Sequence, residues 1–223
     1  MRCPMSDEPA ALSYVDLAQP EADLLVERHA TPEDRAAAGR YQKPLRARQS
    51  LVARALLRAM LGDRTWRILA NPGGAPVLES GDGSRPPFIS ISHSAAMVVC
   101  ALCRSGRIGV DIEHARAARP ITAIADTVFG PDEQHRVARQ GAAEFYRIWT
   151  LREALAKATG AGFPLVVSKA DLVPAGPDPT RCRLAEADWV LGHWALPGDY
   201  TIGLAIEAES LPRPFRFAPA LLD

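Results

Sequence analysis

The sequence predicts an α+β fold, because helix-length amphipathic segments and short alternating strands occur together in both halves of the chain. Two long segments with helical apolar periodicity, around 45–61 and 144–159, each end at a glycine. Short alternating runs bounded by Gly, Pro and Ser surround them, which is typical of strands joined by turns. Each half therefore combines one or two helices with a few antiparallel strands.

In the first half, local signals define both ends of the helices. Thr31 and Pro32 predict a helix start, with the threonine as N-cap and the proline at the first helical position. The helix over 45–61 is predicted to stop at Gly62. The other predicted elements are an edge-type strand near 14–17, a strand at 66–70, a turn at 71–74, and strands at 88–92 and 97–102.

In the second half, strands again flank a long helix. A strand over 107–113 is expected to form an antiparallel hairpin with 97–102 around Ser105 and Gly106. The long helix over 144–159 is expected to close at Gly160. The other predicted elements are a short helix at 131–137, strands at 168–173, 189–195 and 200–207, a polar loop at 174–180, and an irregular tail after 211.

Composition and charge argue against several classes of protein. Lys plus Arg and Asp plus Glu number 26 each, so the net charge gives no reason to expect a nucleic acid or an anionic membrane as partner. No apolar run approaches the length of a membrane span, and the first 20 residues lack a signal-peptide core. The four cysteines do not make a disulfide framework in a chain of 223 residues. We therefore expect a cytoplasmic protein.

The charge is unevenly distributed along the chain. Between Arg35 and Arg67 there are nine basic residues and one acid, Asp63. A basic face in a neutral protein indicates contact with an anion, whereas the alternative is an ordinary solvated face of an Arg-rich helix. Arg48 falls at the edge of the apolar arc of its helix, from where its side chain could reach a cleft.

Three short segments carry side chains suited to phosphate chemistry. In Gly109-Val110-Asp111-Ile112-Glu113, a strand puts the two acids on one face about 7 Å apart, an arrangement that suits a hard divalent cation such as magnesium. Alternating acids on a solvated strand are the simpler alternative. Glu153 and Lys157, four residues apart on the long helix, share a face with Trp149, and they form either a surface ion pair or the border of a cleft.

The third segment, Ser90-Ile91-Ser92-His93-Ser94, ends a strand with groups that can donate hydrogen bonds to an anion. Taken together, Ser-His-Ser, Gly-Val-Asp-Ile-Glu and Trp-Thr-x-Arg-Glu-Ala-x-x-Lys closely resemble the Sfp-type 4'-phosphopantetheinyl transferases. The hallmark of that family is G-[IV]-D-x-E followed by a W-[ST]-x-K-E-[AS]-x-x-K helix. The resemblance extends from about Thr31 to Gly162, and more loosely to Glu207.

The resemblance implies a magnesium-dependent enzyme that moves phosphopantetheine from coenzyme A to a serine of an acyl or peptidyl carrier protein. It implies a pseudo-twofold, two-lobed fold, with an N-terminal lobe at 1–108 and a C-terminal lobe at 109–223 that carries most of the metal and catalytic residues. Coenzyme A would lie between the lobes, and the protein would be a monomer. Which biosynthetic pathway it serves is not encoded in these residues.

The resemblance also assigns roles to individual residues. It implies Asp111, Glu113 and Glu153 as metal ligands, and Lys157 as a catalytic contact to the coenzyme A phosphates. Either Glu153 or Glu133, the latter through a metal-bound water, would accept the serine proton. The remaining coenzyme A contacts would come from His93, Ser92, Arg40, Arg152 and Arg48 (or Arg46).

Two positions depart from the family pattern. Arg152 replaces the hallmark lysine, and it cannot act as a proton acceptor. Ala75 stands where many relatives have a lysine, so one cationic contact is missing. These departures leave two alternatives open: a pseudoenzyme that binds coenzyme A without transfer, and an unrelated magnesium-dependent phosphohydrolase that uses the same acids.

Overall fold

A computed structural model describes most of the chain, namely residues 9–62, 66–70, 75–115, 118–184, 186–208, 210–212 and 214–216. The described residues up to Ser105, together with those from Pro212 onward, form one compact unit, and Gly106–Leu211 form a second. Within the described ranges, no helix is both long and apolar enough to span a membrane.

The first unit is a four-stranded sheet with helices and a separate two-stranded hairpin. Its elements are β1 (Ala10–Asp16), α1 (Pro20–His29), α2 (Pro32–Ala38), α3 (Pro44–Leu61), β2 (Arg67–Ala70), β3 (Pro76–Glu79), β4 (Phe88–Ser94) and β5 (Met97–Cys103). The sheet order is β10-β1-β5-β4, where β10 is Pro214–Arg216 near the end of the chain. Strands β2 and β3 pair only with each other among the described strands.

Two predicted helix boundaries of the first unit are confirmed. Thr31 caps α2 through its side chain, which accepts a hydrogen bond from the backbone N–H of Asp34, and Pro32 occupies the first turn. Helix α3 ends at Gly62, whose φ of 68° lies in the left-handed region that glycine adopts at little cost. Helix α3 packs its apolar side on β5, a strand in which every residue is buried.

The second unit is also a four-stranded sheet covered by helices. Its elements are β6 (Ile108–His114), α4 (Ile121–Val128), α5 (Pro131–Gln140), α6 (Ala142–Thr159), α7 (Phe163–Val166), β7 (Thr180–Leu184), β8 (Ala187–Leu196) and β9 (Tyr200–Ile206). The strands are antiparallel in the order β6-β9-β8-β7, and α6 lies across β6 and β9. Buried side chains of α6, including Phe145, Ile148 and Leu155, form a core with Trp189 of β8. The α+β prediction is confirmed.

One predicted strand pairing is wrong. Strand β5 does not form a hairpin with β6; it lies between β1 and β4, whereas β6 pairs with β9. The short Ser105–Gly106 connection, which looks like a hairpin turn in sequence, is instead the passage from one unit to the next. Turn-forming residues fix only the local change of direction, and the choice of partner strand depends on contacts distant in sequence.

Three further predictions need correction or lie outside the described residues. Residues 168–173 are not a strand: they form a loop whose backbone groups bond to buried charged side chains. The first strand is not at an edge, because β1 has neighbours on both sides, and one of them, β10, comes from the tail that was predicted to be irregular. The predicted turn at 71–74 lies outside the described residues.

Glycines allow α6 to approach the sheet closely. A Cβ at Gly109 of β6 would stand 2.0 Å from the carbonyl oxygen of Ala154, and one at Gly203 of β9 would stand 2.5 Å from the carbonyl carbon of Thr150. Because these neighbours are backbone atoms of the helix, a side chain could be accommodated only if the whole helix moved. The two glycines therefore set the distance between α6 and the residues of β6.

We expect Gly109→Ala to destabilise the chain by about 1–3 kcal/mol, because it overpacks this contact. Gly81→Ala is the matched control, since a Cβ there would have no neighbour within 4 Å; its effect should be within about 0.5 kcal/mol. Urea unfolding of the two variants measures the difference. Equal stabilities would show that the close helix contact is not needed.

Candidate active site

Strand β6 carries two acids on the sheet face that α6 covers. Gly109, Asp111 and Glu113 share one face, because side chains alternate along a strand. The close approach of Ala154 to Gly109 identifies that face as the one against the helix. Asp111 is buried and Glu113 is partly exposed. The pleat of the strand thus directs both carboxylates toward the helix.

Helix α6 presents Trp149, Glu153 and Lys157 to these acids at intervals of four residues, which places them on one side of the helix. The Lys157 Nζ donates to Asp111 Oδ1 at 2.7 Å and to the backbone carbonyl of Val110 at 3.0 Å. The Trp149 Nε1 donates to Glu113 Oε1 at 3.1 Å. Glu153 lies between these two contact points along the helix. The structure therefore brings Asp111, Glu113 and Glu153, here called the acid cluster, together with Lys157.

Electrostatic coupling within the acid cluster perturbs Glu153. Burial raises the pKa of its carboxyl, and the charge of Asp111 raises it further; Lys157 lowers it, Glu113 raises it, and Arg119 lowers it. The net pKa lies above the usual glutamate value. Because the pKa of Glu153 is higher in the folded chain than in the unfolded one, ionising Glu153 lowers the free energy of unfolding. That cost develops as the pH rises from the ordinary glutamate pKa through the raised one. A nearby cation would remove the cost.

Arg119 also contacts the acid cluster, and the sequence reasoning missed it. Its Nη1 donates to Glu113 Oε1 at 3.3 Å, and its guanidinium lies 4.7 Å from the centre of the Trp149 ring. The residue precedes Pro120 in an irregular connection after β6. Such a position carries no periodic signal, so only the folded structure relates it to Glu113.

The acid cluster suits a hard divalent cation in its chemistry. Carboxylate oxygens are the ligands that magnesium prefers, usually one or two from the protein together with substrate phosphates. Across the described ranges, no group of three or more His, Cys, Asp or Glu side chains is arranged to hold a metal ion as it stands. Burial is the largest cause of the raised pKa of Glu153, and the negative charges of Asp111 and Glu113 add to it, so a cation bound beside these acids would lower that pKa. The donor set therefore fits magnesium.

Glu133 and Arg152 form a separate buried ion pair. Both side chains are 0% exposed, and the Arg152 Nε donates to Glu133 Oε2 at 3.0 Å. The Arg152 Nη1 also donates to the carbonyl of Ser168 at 2.9 Å, and Glu133 Oε1 accepts from the backbone N–H of Val173 at 2.8 Å. These contacts tie α5 and α6 to the 168–173 loop. We propose a structural role for the pair, in place of the catalytic role implied for Glu133 and the coenzyme A contact implied for Arg152.

In the first unit, Ser92 and His93 lie near the end of β4. This strand pairs with β5 on one side and is the last strand of its sheet among those described. Ser90 and Ser92 are buried, and His93 is partly exposed. The structure thus confirms the strand that carries the Ser-x-Ser-His segment, and the coenzyme A contacts of Ser92 and His93 stay predictions.

The basic residues on and near α3 differ in their burial and in their partners. Arg54 and Arg58 are mostly buried and pair with Asp34, which is 1% exposed, so these two arginines stabilise the packing of α2 on α3. Arg48 donates to Asp23 at 2.9 Å and to the carbonyl of Leu17 at 2.9 Å. The more exposed group near the start of α3 is Arg40, Lys43 and Arg46, with Arg46 stacked on Tyr41.

Comparison with known proteins identifies the second unit. Residues 107–205 match the family model described as the 4'-phosphopantetheinyl transferase superfamily. This range contains β6 and α6, and with them the acid cluster and Lys157.

Several individual proteins similar to this chain are named 4'-phosphopantetheinyl transferases. The chain is 27% identical over 201 residues to the 4'-phosphopantetheinyl transferase HetI of Nostoc sp., covering 84% of this chain and 82% of that protein. It is 29% identical over 186 residues to the 4'-phosphopantetheinyl transferase psf-1 of Bacillus pumilus, covering 77% and 76%. A shorter match, 32% over 116 residues, is to AcpT of Salmonella typhi, covering 50% and 58%. With its motifs, its fold and these matches in agreement, the chain carries a segment of the 4'-phosphopantetheinyl transferase superfamily at residues 107–205, and it is similar to named transferases over most of its length.

Proposed function

We propose that this chain transfers the 4'-phosphopantetheine group of coenzyme A to a serine of an acyl or peptidyl carrier protein and releases adenosine 3',5'-bisphosphate. The observation that carries the proposal is the meeting of Asp111, Glu113, Glu153 and Lys157 between β6 and α6. This meeting lies within the segment that matches the transferase superfamily. Three acids and a lysine in one place suit the chemistry of a diphosphate.

The reaction forms one bond from the serine oxygen to phosphorus and breaks the bond from that phosphorus to the leaving phosphate oxygen. The serine proton passes to a base, and negative charge increases on the departing nucleotide. Catalysis of phosphoryl transfer therefore depends mainly on positioning and on neutralising charge. A magnesium ion held by Asp111, Glu113 and Glu153 would supply much of that neutralisation when bound.

Lys157 supplies a further positive charge at the same place. Its side chain is 32% exposed and its Nζ stands 2.7 Å from Asp111 Oδ1, so the lysine is held beside the acid cluster and can still meet a phosphate oxygen. A lysine in this setting acts as a compact charge with three donors. We propose that Lys157 orients the diphosphate and offsets its charge as the serine attacks.

Glu153 is our proposed proton acceptor. Its carboxylate interacts with Asp111 and Lys157, so it stands where an incoming hydroxyl would meet the diphosphate that these groups are proposed to bind. Glu133, the alternative, is fully buried and already accepts hydrogen bonds from Arg152 and from the backbone of the 168–173 loop. Its carboxylate is therefore poorly available to accept the serine proton, either directly or through a water.

The remaining parts of the proposal concern the nucleotide end of coenzyme A and the setting of the enzyme. His93, Ser92, Arg40 and Arg48 are proposed to bind the 3'-phosphate and adenine, since they supply donors and positive charge in the first unit. We further propose that the chain acts as a monomer in the cytoplasm, with magnesium as its metal. The exposed basic group near α3 would favour association with an acidic carrier protein.

A single incubation tests the function. With magnesium, coenzyme A and an apo acyl or apo peptidyl carrier protein, mass spectrometry should show the carrier gaining one phosphopantetheine group. A carrier whose acceptor serine is replaced by alanine should gain none, and excess chelator should stop the reaction. Coenzyme A binding without a mass gain would favour the pseudoenzyme, whereas release of inorganic phosphate would favour the phosphohydrolase.

A further inference from the structure

We propose that Arg119 is a positioning residue that holds the Glu113 carboxylate in the orientation needed to bind the divalent cation. This inference rests on the proposed function, because it takes Glu113 as a metal ligand. It adds a residue that lies outside the motifs of the sequence and acts through Glu113 rather than on the substrate.

The first observation is that two donors meet one oxygen of Glu113. Arg119 Nη1 lies 3.3 Å from Glu113 Oε1, and Trp149 Nε1 lies 3.1 Å from the same atom. One donor comes from the connection after β6 and the other from α6. Two donors of different origin at one oxygen fix both the position and the plane of a carboxylate more firmly than either donor alone.

The second observation is that Arg119 itself is held in place. Its guanidinium lies 4.7 Å from the ring centre of Trp149, 5.4 Å from that of Phe145 and 5.6 Å from that of Tyr146. Its side chain is only 22% exposed, and that of Glu113 is 25% exposed. An arginine packed against aromatic faces keeps its charge in a fixed place at a low cost in side-chain entropy.

The third observation is electrostatic. The three acids of the cluster repel one another, and the positive charge of Arg119, whose Nη1 lies 3.3 Å from Glu113 Oε1, offsets part of that repulsion. Arg119 can therefore keep the acids close together before a cation arrives. Removing a group that orients a metal ligand by hydrogen bonding commonly lowers metal affinity by about 10–100-fold.

Arg119→Ala tests the proposal through cation binding and not only through activity. We expect the Mg²⁺ concentration that gives half-maximal protection in a thermal-shift titration with coenzyme A to rise about 10-fold or more. The Mg²⁺ concentration for half-maximal transfer should rise in parallel, while the rate at saturating Mg²⁺ falls by a smaller factor. Arg119→Lys should recover part of the affinity, because an ammonium group can still pair with one carboxylate oxygen.

Two further variants make the result specific. Trp149→Phe removes the other donor to Glu113 and should weaken Mg²⁺ binding in the same direction. Arg183→Ala is the matched control, since Arg183 forms an exposed ion pair with Asp188 on the same sheet, and it should leave the Mg²⁺ midpoint unchanged. Circular dichroism checks that each variant is folded.

An unchanged or lower Mg²⁺ midpoint in folded Arg119→Ala, with the wild type active, would overturn the positioning role. A wild-type chain that produces no mass gain on any carrier would instead contradict the proposed function. The two failures are distinguishable because the thermal-shift titration requires no carrier protein.

Discussion

Asp111→Asn is expected to lower phosphopantetheinyl transfer by about a thousandfold, equivalent to about 4 kcal/mol of activation free energy. The substitution keeps the shape of the side chain but removes one carboxylate charge from the proposed cation site. It also removes the anion that Lys157 contacts at 2.7 Å, so the lysine loses its fixed position beside the diphosphate. The effect should appear in the rate at saturating coenzyme A, measured by mass gain of the carrier.

The same variant should remain folded. Asp111 loses an ion pair with Lys157, but its repulsion of Glu153 is also removed, so the two changes in stability oppose each other. Asp188→Asn is the matched control, because Asp188 is a 75% exposed acid of the same sheet; its transfer rate should be unchanged. Near-normal turnover of Asp111→Asn with magnesium would refute the metal assignment.

The second large effect concerns stability. Glu133→Gln and Arg152→Met should each lower the free energy of unfolding by about 3–5 kcal/mol, because each leaves the other charge buried without its partner. Both side chains are 0% exposed, so water cannot take the place of the lost group. Urea unfolding at neutral pH measures the loss, and the loop at 168–173 should become more accessible to proteases as its anchors are removed.

The double variant Glu133→Leu with Arg152→Met separates a structural role from a catalytic one. It should cost less than the sum of Glu133→Leu and Arg152→Met measured singly, because no charge remains buried alone, although backbone groups of Ser168 and Val173 still lose partners. Where the variants remain folded, their transfer rates should stay within about 10-fold of wild type. Full stability combined with a large loss of turnover would restore the catalytic assignment of Glu133.

The buried network also gives a physical reason for the departure at position 152. The guanidinium donates to Glu133 and, through other nitrogens, to the carbonyls of Val166, Ser168 and Ala170. A planar group with five donors can meet partners in several directions at once, whereas a lysine offers three donors from a single atom. The arginine therefore suits a position between a buried acid and a loop.

The parts of the site that could be predicted from sequence are those in which local periodicity fixes the geometry. A strand with a two-residue repeat places Asp111 and Glu113 on one face, and a helix with a four-residue repeat places Glu153 and Lys157 on one face. In the structure the strand face and the helix face contact each other, through the Lys157–Asp111 and Trp149–Glu113 hydrogen bonds. The family, the α+β fold and the transferase class predicted from these motifs are confirmed.

The parts that sequence could not supply depend on contacts distant in the chain. Residues 168–173 have a strand-like pattern, but Leu172 and Val173 donate their backbone N–H groups to Glu133 instead of to a neighbouring strand. Strand β5 pairs with β1, almost 90 residues before it, because register follows burial and not proximity. Arg119 reaches Glu113 from an irregular segment, and no periodic pattern marks it.

The most direct test of the proposed metal site is to count the divalent ions that each chain binds. Electron paramagnetic resonance of Mn²⁺, with coenzyme A present, should detect a single tightly held ion per wild-type chain. The double variant Asp111→Asn with Glu153→Gln should release it, and Asp188→Asn should retain it. A wild-type chain that binds no ion, or a double variant that binds it as tightly as wild type, would contradict the proposal that these acids hold the metal.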